Sequence, residues 1–216
     1  LTIEIRSLSK KMNNHVLFDN LNFDLNPGKI YGVLGKNGTG KTTLLKLLSG
    51  LEPDENNQTM KLFPDDYSPI GIHIESPKLY PFLSGKKNIR LFTSDLPKSN
   101  YDLDFLIEEF QLQNFIDKKV KTYSLGTKQK ISLIIAIMMA GKFLLLDEPT
   151  NGLDDDSIHV FKSLLLSLSS KHGLIILIAT HDKDELIETF DQLFYIRNGS
   201  LEKVELSERK VTELNT

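Results

Sequence analysis

The chain contains no cysteine, which excludes disulfides, thiolate zinc sites and a cysteine nucleophile and fits a reducing compartment. It also lacks any excess of positive charge. Lys and Arg number 26 against 29 Asp and Glu, for a formal net charge of -3 and a pI near 6.0, so nothing predicts an electrostatic grip on nucleic acid or on an anionic membrane. No apolar run reaches spanning length. The strongest, ISLIIAIMMAGKFLLLDEP, is cut by Gly141 and Lys142 and reads as a buried helix followed by a buried strand. The opening LTIEIRSLSKKM alternates apolar and polar residues without the basic-then-apolar profile of a signal peptide, and no internal repeat is present. What remains is a soluble globular composition, 216 residues with 40% hydrophobic and 25% charged, enough to bury the core of one domain with a subdomain inserted.

Period-2 alternation and short apolar runs place strands at about 2–6, 16–25 and 29–35. A helix should follow through KTTLLKLLSGL and stop at Gly50 and Pro53. QTMKLF and IGIHI read as further strands around the polar turn PDDYSP, whereas Ser76 to Lys121 shows Pro-punctuated helical patterns and no strand. Beyond it come strand KFLLLD, a helix over 156–171, strand LIILIAT, a helix over 183–190 and a hairpin, QLFYIRNGSLEKVEL, turning at Asn198-Gly199. Apolar strands flanked by helices imply an α/β fold with a mainly parallel sheet covered on both faces. The last residues, SERKVTELNT, read as a frayed or helical tail.

GKNGTGKT, Gly35 to Thr42, matches the phosphate-loop pattern G-x-x-x-x-G-K-[ST]; chance would produce it in such a chain roughly one time in a hundred. It follows a strand and opens a helix, as the mechanism needs. Gly35, Gly38 and Gly40 let the backbone curl so that its N–H groups face phosphate oxygens, with Lys36, Asn37 and Thr39 between them, and the helix beginning at Lys41, Thr42 and Thr43 adds its dipole. Lys41 is expected to reach the β- and γ-phosphates and Thr42 to offer a hydroxyl to Mg²⁺. FLLLDEP, Phe143 to Pro149, delivers Asp147 and Glu148 at the C-terminal end of an apolar strand, where parallel sheets place ligands. Asp147 would hold the magnesium ion and Glu148 would orient or deprotonate the attacking water. YSLGTKQK, Tyr123 to Lys130, reads locally as a helix capped by Ser124, with the following lysines and glutamine on a solvated face.

Taken in order, the phosphate loop, the helical insert, YSLGT, LLLDEPTNGLD and ATHD resemble the nucleotide-binding subunit of an ATP-binding cassette (ABC) transporter, over essentially the whole chain. The resemblance implies an α/β P-loop NTPase occupying 1–216 as a single domain. It would have a core of about 1–75 and 122–204 that includes an N-terminal antiparallel β subdomain, a helical subdomain of about 76–121, and a tail at 205–216. It implies ATP and Mg²⁺ as cofactors and a head-to-tail homodimer or heterodimer with a second cassette subunit. In that dimer the signature residues Ser124, Leu125, Gly126 and Thr127 cover the nucleotide held by the partner's phosphate loop. It further makes Asp154 the acid of an interface loop and His181 a γ-phosphate contact assisting Lys41 and Glu148. It places Met12 at the adenine and Glu75 near the metal, and it places the protein at the cytoplasmic face of the membrane on a separate permease subunit. Tyr80, Pro81 and Phe82 would line the groove for that subunit.

Four residues depart from the family pattern. Leu125 stands for a glycine and Thr127 for a glutamine of the usual signature, and Glu75 for a glutamine; a carboxylate accepts from metal-bound water and cannot donate as an amide does. Met12 replaces an aromatic ring, and stacking worth about 1–3 kcal/mol gives way to a sulfur contact worth about 0.3–1.5, which predicts weak, poorly base-selective nucleotide binding. The short chain, the YSLG signature and the ESP loop resemble most the ATPases of bacterial antibiotic and antimicrobial-peptide exporters. The alternative is a soluble single-cassette ATPase with a non-transport role. One phosphate loop argues against a two-cassette translation factor, Thr43 to Tyr123 leaves no room for a long coiled coil, and HDKD at 181–184 lacks the asparagine of a GTPase base-reading motif.

Overall fold

The computed structural model describes residues 2–12, 15–55, 69–74, 78–96, 101–182 and 184–205. Strands β1 (Ile3–Met12) and β2 (His15–Leu25) pair antiparallel, from Ile3 opposite Leu25 to Met12 opposite His15. The chain then enters a larger sheet through β3 (Ile30–Leu34) and leaves it into α1 (Lys41–Leu48), which ends at Ser49 with Gly50 in the left-handed region at φ 74°. Strand β4 (Ile70–His73) follows. Two helices come next, α2 (Gly85–Thr93), capped by Ser84, and α3 (Leu103–Glu109), capped by Asp102, and they lead to the long α4 (Leu125–Met139). Strand β5 (Phe143–Asp147), helix α5 (Asp155–His172), strand β6 (Ile175–Thr180) and the hairpin β7 (Gln192–Arg197) and β8 (Ser200–Val204) complete the order. QTMKLF, read above as a strand, lies outside the described residues.

The larger sheet runs β4-β5-β6-β3-β7-β8, parallel throughout except for the β7–β8 hairpin. Its central strands look uniformly apolar in sequence, yet their alternation sorts them cleanly between two cores. Phe143, Leu145, Ile175, Leu177, Tyr31 and Val33 face the layer of β1, β2 and α1. Leu144, Leu146, Ile176, Ile178 and Ile30 face α4 and α5. Successive residues of a strand point to opposite faces, so a sheet sandwiched between layers needs apolar side chains at both parities. This is the α/β architecture of a P-loop NTPase, with an antiparallel N-terminal sheet beside a mainly parallel core.

Local chemistry fixes the boundaries. Helix α5 starts where the Asp154 carboxylate accepts from the Ser157 N–H at 2.9 Å. It ends at Gly173 (φ 67°), whose N–H and that of Leu174 bond to Ser169 O and Leu168 O, the pairing of a left-handed helix terminator. At the β7–β8 turn Asn198 and Gly199 both have positive φ, 49° and 76°, the requirement of a two-residue turn between twisted strands. The helix expected over 183–190 is not formed. Among its described residues the chain makes a turn and then a single 3-10 turn, Ile187–Thr189, closed by the Thr189 N–H and hydroxyl on Leu186 O at 2.9 and 2.6 Å. Leu186 and Phe190 on either side of this turn are both buried in the core.

Candidate active site

Strands β5, β6 and β3 are neighbours in that order, so their C-terminal ends lie side by side and the segments leaving them converge. From β3 comes the loop Gly35–Gly40, closed by Thr39 N and Thr39 Oγ1 donating to Lys36 O at 3.3 and 2.9 Å. Gly38 and Gly40 hold φ of 81° and 101°, a conformation open to glycine and strained for other residues. Gly40 is doubly constrained, since a Cβ there would lie 2.7 Å from the ring of Phe18. Lys36 and Asn37 are exposed, Thr39 and Thr43 half-buried. Lys41 is only 7% exposed, with Nζ donating to Gly35 O at 2.8 Å. The Thr42 hydroxyl donates to Asp147 Oδ2 at 2.6 Å.

Glu148 leaves β5 with φ 46°, left-handed and non-glycine, at a cost of about 1–2 kcal/mol. The turn is held by its own N–H on Ala179 O at 2.8 Å, and it aims the carboxylate across β6. There Oε1 accepts from the His181 backbone N–H at 3.0 Å and meets His181 Nδ1 at 2.8 Å. A carboxylate oxygen accepts, so Nδ1 carries the proton and Nε2 is left as the second ring nitrogen. The buried Thr180 hydroxyl lies 3.1 Å from Glu148 Oε2 and 3.1 Å from Asp182 O, and its single proton serves one or the other. Lys41 Nζ is 3.9 Å from Glu148 Oε1. A cation, two carboxylates, a hydroxyl and an imidazole therefore share one edge of the sheet.

A second cluster surrounds the start of α4. Ser124 caps it, Oγ accepting from Thr127 N at 3.1 Å and lying 2.9 Å from Thr127 Oγ1. Leu125 is 62% exposed. Gly126 sits against the 150–154 loop so tightly that a Cβ would come within 2.5 Å of Gly152 O. The solvated face expected for Lys128 to Lys130 is not present. Gln129 is buried and donates to Pro149 O at 3.1 Å, and Lys130 pairs with Asp154 at 3.7 Å. The helix lies with this side against the loop rather than toward water. Asp154 itself is the α5 cap, its carboxyl held below the usual range mainly by the bonds from Ser157. Among the described residues, no hydrogen bond or ion pair joins Ser124–Thr127 to Gly35–Thr43.

Residues 18–151, more than half of the chain, match the sequence model of the family described as ABC transporter. The chain belongs to this family. It is 32% identical over 203 residues to the lantibiotic transport ATP-binding protein SrtF of Streptococcus pyogenes, covering 92% of this chain and 88% of SrtF. It is 34% identical over 230 residues to the bacitracin transport ATP-binding protein BcrA of Enterococcus faecalis, covering 99% and 74%. A solved structure of an ATP-binding subunit of an ABC transporter superposes with a TM-score of 0.84 at 25% identity, covering 99% of this chain and 93% of that one. The protein is thus the ATP-binding, ATP-hydrolysing cassette subunit of a transporter. Among the described residues no helix is long and apolar enough to cross a membrane.

Within this cassette, Lys41, Thr42, Asp147, Glu148 and His181 meet, while Ser124–Thr127 and Asp154 assemble separately around the 150–154 loop. Met12 is 47% exposed at the end of β1, and Glu75 lies outside the described residues. Sequence reasoning missed Thr180, which touches Glu148, and the pair His73 and Gln129, whose Nε2 atoms lie 2.9 Å apart. Their signals were weak: a threonine ending an apolar strand, a histidine inside IGIHI, and a glutamine between two lysines.

Proposed function

We propose that two copies, or this chain and a second cassette, close head-to-tail around two Mg-ATP. In this arrangement the Ser124–Thr127 turn of one subunit covers the γ-phosphate held by Gly35–Thr43 of the other. The observation that carries the reading is the convergence of Lys41, Thr42, Asp147, Glu148 and His181 at the ends of three adjacent strands. The signature turn supports the rest. It presents the capped, donor-rich start of a helix of eight residues or more, and it is joined to none of the subunit's own phosphate loop.

Thr42 and Asp147 fit a hard cation, a hydroxyl and a carboxylate already within 2.6 Å. Among the described residues no group of three or more His, Asp or Glu converges to hold a metal, so phosphate and water oxygens would complete the shell, as Mg²⁺ favours. Bound there, Mg²⁺ neutralises charge on the β- and γ-phosphates. Lys41 would contact the same oxygens. Glu148 orients the attacking water and takes its proton, while His181 Nδ1 and the Thr180 hydroxyl hold the carboxylate in place. Met12, exposed at the end of β1, would offer the base a thioether rather than a ring.

Hydrolysis drives a separate membrane permease at the cytoplasmic face of the membrane. A cavity of about 410 Å³ lined by Leu51, Ile72, Leu79, Phe92 and Met139 supports a docking groove there. So does Tyr80 (54% exposed), whose ring lies 6.1 Å from that of Phe92, and Phe82, two residues on, is 73% exposed. The names of SrtF and BcrA support export of a peptide antibiotic. The test is Glu148→Gln, which removes the base yet keeps the nucleotide sandwich: turnover should collapse and an ATP-dependent dimer accumulate. A variant that stays monomeric by light scattering at saturating Mg-ATP overturns the two-subunit arrangement.

A further inference from the structure

His73 and Gln129 are buried polar residues outside the catalytic cluster, 3% and 5% exposed. His73 closes β4, and Gln129 lies on the second turn of α4. Gln129 Nε2 is 2.9 Å from His73 Nε2 and 3.1 Å from Pro149 O. An amide nitrogen only donates, so both of its hydrogens are used and His73 Nε2 is an acceptor. The proton is then on Nδ1, 2.8 Å from Ser132 Oγ on the same helix.

Pro149 directly follows Glu148, and Gln129 is five residues past the cap Ser124. Two further contacts join the same helix to the same loop: Gly126 against Gly152, and Lys130 with Asp154 at 3.7 Å. The start of α4 is thus tied to the 149–154 loop at its beginning, middle and end. Only the first of these ties depends on a residue from a third element, β4.

We propose that the His73–Gln129 pair is a positioning device that sets the separation between Glu148 and the Ser124–Gly126 turn. The half-site that a subunit keeps and the half-site that it offers its partner then move as one body. The inference rests on the two-subunit reading above. Without the imidazole acceptor, one Gln129 hydrogen is left without a partner in the interior. A buried donor so exposed to apolar surroundings is costly, and the amide turns away from Pro149 to satisfy it.

The test compares His73→Leu, His73→Asn and His73→Gln. Glutamine can set an acceptor where Nε2 stood; asparagine reaches only the Nδ1 position. His73→Leu and His73→Asn should each lower ATP turnover roughly tenfold while leaving ATP affinity of the monomer unchanged within about twofold. His73→Gln should turn over within about twofold of the native rate. In a Glu148→Gln background, where the base is already gone, His73→Leu should also raise the protein concentration needed for ATP-driven dimerisation roughly tenfold. That readout follows the offered half-site alone. Native turnover in the leucine and asparagine variants, or a glutamine variant as slow as leucine, overturns the proposal; so does slowed turnover with unaltered dimerisation. Should His73→Leu fail to fold, the near-isosteric Gln129→Met removes the same bonds from the other side and carries the same expectations. Glu148→Gln with His73 intact that remains monomeric overturns the two-subunit reading and this inference with it. A normal dimer there that His73→Leu leaves unweakened overturns this inference alone.

Discussion

One buried imidazole should contribute to destabilisation of the fold by acid. Desolvation lowers the His73 pKa from 6.5 to about 4. Above pH 6.5 the ring is neutral in the folded and unfolded chain alike and contributes no pH dependence. Below 6.5 the unfolded chain takes up a proton that the folded chain refuses, so stability falls with pH until about pH 4, where the folded group titrates as well. At about 1.4 kcal/mol per unit the span amounts to about 3 kcal/mol, or roughly 10 °C in Tm for a chain of this size. Urea unfolding followed by circular dichroism at steps from pH 7.5 to 4, for the native chain and His73→Gln, isolates the effect. Carboxylates titrate equally in both and cancel in the difference. The two proteins should agree within about 1 kcal/mol at pH 7 and diverge steadily below 6.5, the native chain losing more. Parallel curves, or divergence in the other direction, would refute a buried neutral His73.

Three further outcomes follow from the site. Gly126→Ala places a methyl 2.5 Å from the backbone Gly152 O; relief to ordinary carbon–oxygen contact requires roughly 1 Å of separation, so steady-state turnover should drop at least about tenfold for a displacement on this scale, accompanied by a fall in Tm from the overpacked contact. Ser124→Arg should abolish turnover yet leave nucleotide titration of the monomer nearly native, because Ser124 has no bond to its own phosphate loop. Met12→Tyr should tighten ATP binding by about 1–2 kcal/mol through base stacking, and competition between ATP and GTP should show stronger selectivity; an unchanged affinity would mean that Met12 does not meet the base.

The legible parts of this protein are those in which chemistry and contiguity coincide. Gly35 to Thr43 and Phe143 to Glu148 announce themselves because the glycines, the lysine and the acids stand next to one another, and β3 and β5, one on each side of β6, then bring the two runs together. Ser124 was readable as a cap for the same reason. Gln129 was not: its partners are 56 residues upstream and 20 downstream, and a glutamine flanked by lysines looks like surface until the loop covering it is placed. The helix expected over 183–190 failed differently. Its apolar spacing is helical, yet only the single turn Ile187–Thr189 forms, and nothing in the structure explains why the longer helix does not. Likewise the split of Phe143–Leu146 between two cores is invisible in a run where every residue is apolar.

The position of β3 has a consequence for the birth of the protein. This strand carries the phosphate loop, but its two neighbours are β6 and β7, with Gly32 lying between Ile178 and Leu193. At roughly 5–20 residues per second of synthesis, an emerging β3 waits on the order of 10–30 s for either flank, holding an apolar edge open on both sides. The Gly35–Gly40 loop is thus encoded early and completed late. A nascent chain has no finished cradle until Ile178 has left the ribosome, and until Leu193 follows, the same strand offers aggregation or a chaperone one of its most adhesive surfaces.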